Sequence, residues 1–175
     1  MGFEADVARH QRRVFSFAHY FLDNREEAED VTQEVLLRFW RHGSGLDPDG
    51  VGAWLLRVTR NACYDQLRRR RSAAVNLPTA GFDVEEAAES VAAPEPGPES
   101  QAVAADFRRR LQEALGRLPD PYRSVLILRE IQDLSYQEIS DLLELPLNTV
   151  RVHIHRGRQR LREELREDYG DAAVG

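Results

Sequence analysis

The chain has 175 residues, with 24 basic and 30 acidic side chains for a net charge of −6, and is 42% hydrophobic and 31% charged. This is the composition of a globular protein in water, long enough for one ordinary domain or two small ones. No apolar run reaches the roughly 18 residues of a membrane span, the N-terminus lacks an apolar signal core, and the single cysteine, Cys63, excludes an internal disulfide or a cysteine-built zinc site.

In chain order, Val7, Val14, Phe17 and Phe21 recur at helical spacing, then Ala28, Val31, Val35 and Phe39, then Val51, Leu55, Val58 and Ala62. These three stripes predict three helices, with Asp23 or Asn24 capping the second. The segment HGSGLDPDG (42–50) is dense in Gly, Pro and Asp and predicts a loop. Residues 1–72 carry 12 Arg and 11 acids; residues 73–105 carry six acids and no Arg, with much Ala, Pro and Glu. A stretch so poor in large apolar groups cannot offset its ordering entropy and predicts a flexible acidic linker, in its plainest role a tether.

The second half opens on Phe107, Leu111, Ala114, Leu115 and Leu118, stopped by Pro119 and Pro121. A helix is predicted from Tyr122 to Ile131. Ser135 and Glu138 form a capping-box signature, the turn LPL follows, and a last helix begins at Asn148 or Thr149, either of which can cap. A short helix, a tight turn and a basic second helix are what a helix-turn-helix needs. No alternating strand pattern occurs, so the fold class predicted is all-α: two small helical domains, 1–72 and 106–168, joined by a linker at 73–105, with a tail at 169–175.

Three charged faces stand out. On the last helix, Val150, Ile154, Gly157, Leu161 and Leu165 form one stripe, while Asn148, Val152, His155, Arg156 and Gln159 point the other way and Arg151, Arg158 and Arg162 line a flank. Between 147 and 162 there are five Arg and no acid. Such a helix suits the major groove, or is the solvated face of a bundle helix. Residues 52–71 hold six Arg against Asp65, with Trp54 and Tyr64 among them. Aromatics among arginines can stack on unpaired bases; equally, Trp54 can be core and the RRRR run can complement a helix C-terminus. DNREEAEDVTQE (23–34), with six acids and one Arg, is either a docking surface for a basic partner or a helix start made favourable by acids.

EEAEDVTQEVLLRFWRH, AWLLRVTRNACYDQLRRRR and LPDPYRSVLILREIQDLSYQEISDLLELPLNTVRVHIHRGRQRLREEL together resemble the extracytoplasmic-function (ECF) sigma factors of bacterial RNA polymerase, over nearly everything outside the linker and tail. The resemblance implies a region 2 bundle at the N-terminus and a region 4 helix-turn-helix at the C-terminus. It implies that Asp30, Gln33, Glu34, Arg38 and Trp40 grip the clamp coiled coil of the polymerase's largest subunit. It implies that Trp54, Arg57, Arg60, Asn61, Asp65 and Arg68 melt and read the −10 promoter element, the loop Gly43–Gly52 holding a flipped base. By the same resemblance Asn148, Thr149, Arg151, Val152, His155, Arg156 and Gln159 read the −35 element. The C-terminal domain would meet the flap of the second polymerase subunit, the linker would thread the RNA exit channel, and an anti-sigma factor is a further implied partner.

Two positions depart from that family's pattern: Val152 and His153 follow the Thr-Val pair, and Gly157 stands where alanine is usual. The function expected is promoter-specific initiation by a non-enzymatic, cytoplasmic protein without cofactor or metal. The five histidines have no ligand spacing with Cys63, which reads as a small buried hydrophobe. A helix-turn-helix regulator with an N-terminal helical domain is the alternative, and a helical adaptor that binds only protein is a second.

Overall fold

The structure, a computed structural model, describes residues 3–76 and 97–169, all of them in helices and short turns. The first three helices are α1 (Phe3–Leu22), α2 (Arg25–His42) and α3 (Val51–Asn76). Each packs against the other two. The predicted stripes meet at the centre: Val14, Phe17 and Phe21, then Ala28, Val31, Val35 and Phe39, then Val51, Leu55 and Ala62 are buried, with Val58 packed on their edge. Asn24 supplies the cap, its side chain accepting from the Glu27 amide at 2.9 Å, while Asp23 turns through a left-handed conformation before it.

The predicted loop at 42–50 is shorter than expected. His42 still belongs to α2, and Gly43–Gly45 make a 3-10 turn before the chain reaches α3. A Cβ on Gly43 would stand 2.5 Å from the ring of buried Phe39, so the turn closes only on glycine. Gly43→Ala is expected to cost about 1–3 kcal/mol of stability by overpacking that ring, measured by urea unfolding. A wild-type midpoint would show that the ring yields freely.

The second half comprises α4 (Pro98–Arg117), α5 (Tyr122–Leu126), α6 (Tyr136–Leu143) and α7 (Leu147–Tyr169). Both ends of the stretch read as linker are helical: residues 73–76 continue α3, and Pro98 to Ala105 form the opening turns of α4. Ala, Glu and Gln are good helix formers, and Pro98 sits in the first turn, where its missing N–H costs nothing. Composition excluded a core there, but not a helix. Residues 77–96 and 170–175, the rest of the predicted linker and nearly all of the tail, lie outside the described residues.

The single helix predicted over Tyr122–Ile131 changes winding. After α5 the chain passes into a π-helical turn at Ile127–Ile131, closed by Gln132 N–H to Ile127 C=O at 3.0 Å. Residues Val125 to Leu128 are all buried, so the wider turn keeps the apolar side chains inward. The predicted cap of α7 is also displaced. The helix already includes Leu147, and the Val150 amide bonds Pro146 C=O, which places Asn148 and Thr149 inside the first turn.

The Ser135–Glu138 box forms as predicted. The Glu138 amide bonds Ser135 Oγ at 3.1 Å, and the Ser135 amide donates to Glu138 Oε2 at 2.7 Å. The bonds to Ser135 hold the Glu138 carboxyl below its ordinary range. Its contribution to stability is therefore complete above the unfolded glutamate value of about 4.3 and disappears as pH falls through the lower folded value. Glu138→Gln is expected to flatten the stability–pH curve between about pH 5 and pH 3, by urea melts across that window. An unchanged acid limb would mean that the carboxylate bond contributes nothing.

Candidate nucleic-acid and protein-docking faces

The helix-turn-helix is α6, its turn, and α7. Glu144 ends α6 at φ 55°, a left-handed position that favours glycine, and Ser140 laces the turn by donating to Leu145 C=O at 2.5 Å and accepting from its amide. The α7 wheel separates as the sequence predicts. Val150, Ile154 and Gly157 are buried and Leu161 is packed on the core, while Asn148, Arg151, Val152, His155, Arg156 and Gln159 are exposed and Thr149 is half-buried.

Gly157 has a packing reason. A Cβ there would lie 3.2 Å from the Leu126 side chain and 3.4 Å from Tyr122 Cβ, so its absence lets α7 approach α5 closely. The predicted flank of Arg151, Arg158 and Arg162 is interrupted, because Arg158 is drawn to Glu130 at 2.6 Å. Arg160 lies over the Tyr122 ring. Val152, 38% exposed, stands among the outward polar groups as an apolar contact suited to a thymine methyl. Val152→Ala is expected to relax base preference at one −35 position by about 1–3 kcal/mol, read by competition between promoter variants. Unchanged preference would remove Val152 from the readout.

The predicted −10 residues on α3 do not share one environment. Trp54 is half-buried against Phe39, ring centroids 6.0 Å apart, which is the packing alternative of the two left open by sequence. Arg57, Asn61 and Arg68 are exposed, and Asp65 is bonded to Arg68. Arg60 is half-buried, over the Tyr64 ring at 4.8 Å and bonded to Asp120 and Ser124 of the second half. Within the RRRR run, Arg70 binds the Glu27 carboxylate and Leu22 C=O, tying α3 to the end of α1. Cys63 is buried and its thiol is pushed far above the ordinary range by burial, leaving no thiolate to react.

On α2, Asp30, Gln33, Arg38 and Trp40 are exposed and Glu34 is half-buried, bonded to Arg38. The sequence reading missed Leu37, 58% exposed beside Trp40 at 69%. Its signal was available: Leu37 lies opposite the Ala28–Val31–Val35–Phe39 stripe and so cannot be core. An exposed tryptophan and leucine rimmed by carboxylates and an arginine make a docking face for protein. Among the described residues, no helix is long and apolar enough to cross a membrane.

Residues 7–73 match the model of Sigma-70 region 2, and residues 108–161 match that of Sigma-70, region 4. The ECF RNA polymerase sigma factor SigE of Mycolicibacterium smegmatis is 35% identical over 95% of this chain, which spans 63% of SigE's length. SigW of Bacillus subtilis, another ECF RNA polymerase sigma factor, is 31% identical over 89% of the chain and 84% of its own length. Among solved structures, the sigma factor RpoE of Bartonella quintana, in complex with the anti-sigma factor NepR, superposes at a TM-score of 0.71 with 22% identity, over 93% of this chain and 96% of that one.

Proposed function

The chain belongs to the ECF sigma factors of the sigma-70 family, and from that premise we propose that it directs core RNA polymerase to promoters by holding a −35 reader and a −10 reader on one duplex. The observation that carries this reading is α7: its apolar stripe is buried while Asn148, Arg151, Val152, His155, Arg156 and Gln159 are presented outward. Two DNA contacts, neither strong alone, combine with a polymerase contact through the tether, which raises the effective concentration of the second reader. The α7 contact positions the complex, largely through phosphates. The α3 face then captures unstacked −10 bases, trading a few kcal/mol of unstacking for arginine and aromatic contacts. With a net charge of −6 the free chain binds DNA poorly, and polymerase supplies the affinity.

Asp30, Gln33, Glu34, Arg38 and Trp40, with Leu37, form the polymerase-docking surface in this reading. The family is regulatory rather than catalytic, and the chain's role here is binding alone, in the cytoplasm. The acidic, arginine-free stretch within 73–105 serves as an anionic strand that occupies a nucleic-acid channel until RNA displaces it. An anti-sigma factor covering one or both docking faces is the regulatory partner in this scheme. Run-off transcription with purified core polymerase tests it: the chain alone should confer a defined start. A regulator needs another sigma factor already present, and an adaptor confers nothing; either result would overturn the reading.

A further inference from the structure

The two halves are joined by more than the linker. On α1, Gln112 donates to His19 C=O at 2.9 Å, Arg123 donates to Phe21 C=O at 3.1 Å with its guanidinium over the Phe21 ring, and Gln132 donates to Arg13 C=O at 3.3 Å while accepting from the Arg13 side chain at 3.2 Å. On α3, Arg60 donates to Ser124 Oγ and Asp120 Oδ2, both at 3.2 Å, and Arg57 donates to Asp141 C=O at 3.2 Å. The second half thus engages the two arginines that start the −10 face, whereas the outward residues of α7 and the Leu37–Trp40 face of α2 stay exposed.

This arrangement cannot persist on a promoter. Elements some 25 base pairs apart are separated by roughly 85 Å of duplex at 3.4 Å per base pair. In the structure, α3 and α6 are in direct contact. Residues 77–96, fully extended, span at most about 70 Å, which accommodates separation but not without opening. The contact is also of a kind that opens. It is largely polar, and the Arg60–Asp120 pair is about a quarter exposed, 27% and 26%, so the pair itself adds little.

We propose that the free protein is self-closed, its C-terminal half acting as a latch on the Arg57–Arg60 face of α3, and that engagement of both promoter elements requires the latch to open. This rests on the reading of α3 as the −10 reader. Polymerase docking through α2 does not require opening, so it precedes release. A closed majority lowers the apparent affinity for any partner that needs the open form in proportion to the open fraction.

The geometry supplies a test. A Cβ on Gly116 would lie 3.6 Å from Asp23 Cβ across the two halves, within disulfide range, and the native Cys63 is buried. The full-length D23C/G116C chain should cross-link on mild oxidation and then lose at least about tenfold in run-off transcription, with reduction restoring it. A second variant, Gln112→Ala with Gln132→Ala, removes latch bonds and is expected to lower the half-saturating chain concentration by about threefold to fivefold. Failure to cross-link, full activity while cross-linked, or unchanged half-saturation would each overturn the latch. A wild-type chain that directs no start sinks the promoter reading instead, and cross-linking in that same chain would leave the closed state standing.

Discussion

Trp40→Ala combined with Leu37→Ala is expected to weaken binding to core RNA polymerase by at least about 30-fold, because buried tryptophans dominate interfaces and a loss of 2 kcal/mol is that factor. Stability should barely change, since both side chains face water in the free protein, at 69% and 58% exposure. The two effects separate a docking role from a folding role. Arg38→Ala is the internal control: its partner Glu34 is on the same helix, and exposed pairs of this spacing contribute about 0.3–0.5 kcal/mol. Titration of core polymerase with fluorescently labelled chain measures the loss. Binding within threefold of wild type would mean that α2 does not form the docking surface.

What could be read from residues alone follows from where the physical signal is stored. Amphipathic spacing is written in side chains, so the three N-terminal stripes, the capping box and both faces of α7 were legible. The start of α4 at Pro98 was not, because low apolar content argues against a core and says nothing of helix propensity. The π-helical turn at Ile127–Ile131 replaces backbone partners without disturbing apolar spacing, so periodicity cannot detect it. The left-handed Glu144 has no glycine to announce it.

The contact between the halves was the least legible feature. Its acceptors are chiefly main-chain carbonyls, of Arg13, His19, Phe21 and Asp141, which every residue carries. Arg57 and Arg60 read as DNA contacts because an arginine fork suits a phosphate, and the same fork serves a carbonyl, a hydroxyl or a carboxylate equally well. The two uses are compatible when they occur in succession. Residues selected to hold phosphate are then the ones that a latch can borrow.

Adjacent positions on α7 separate scaffold from reader. Ile154 is 1% exposed beneath the helix, and Arg156 is exposed on the opposite side. Ile154→Ala should cost about 2–5 kcal/mol of stability through lost burial and the cavity left between α7 and the helices beneath it. In a chain of ordinary marginal stability that removes much of the folded population at physiological temperature, and promoter binding falls with it for every sequence and at every salt concentration. Arg156→Ala should leave the urea midpoint within about 0.5 kcal/mol of wild type while reducing the salt slope of promoter binding by about 1. Paired urea melts and salt titrations of polymerase-bound chain on a single promoter distinguish the two. If Arg156→Ala also unfolds the protein, or leaves the salt slope intact, the outward face of α7 is structural and the assignment of α7 to the major groove fails.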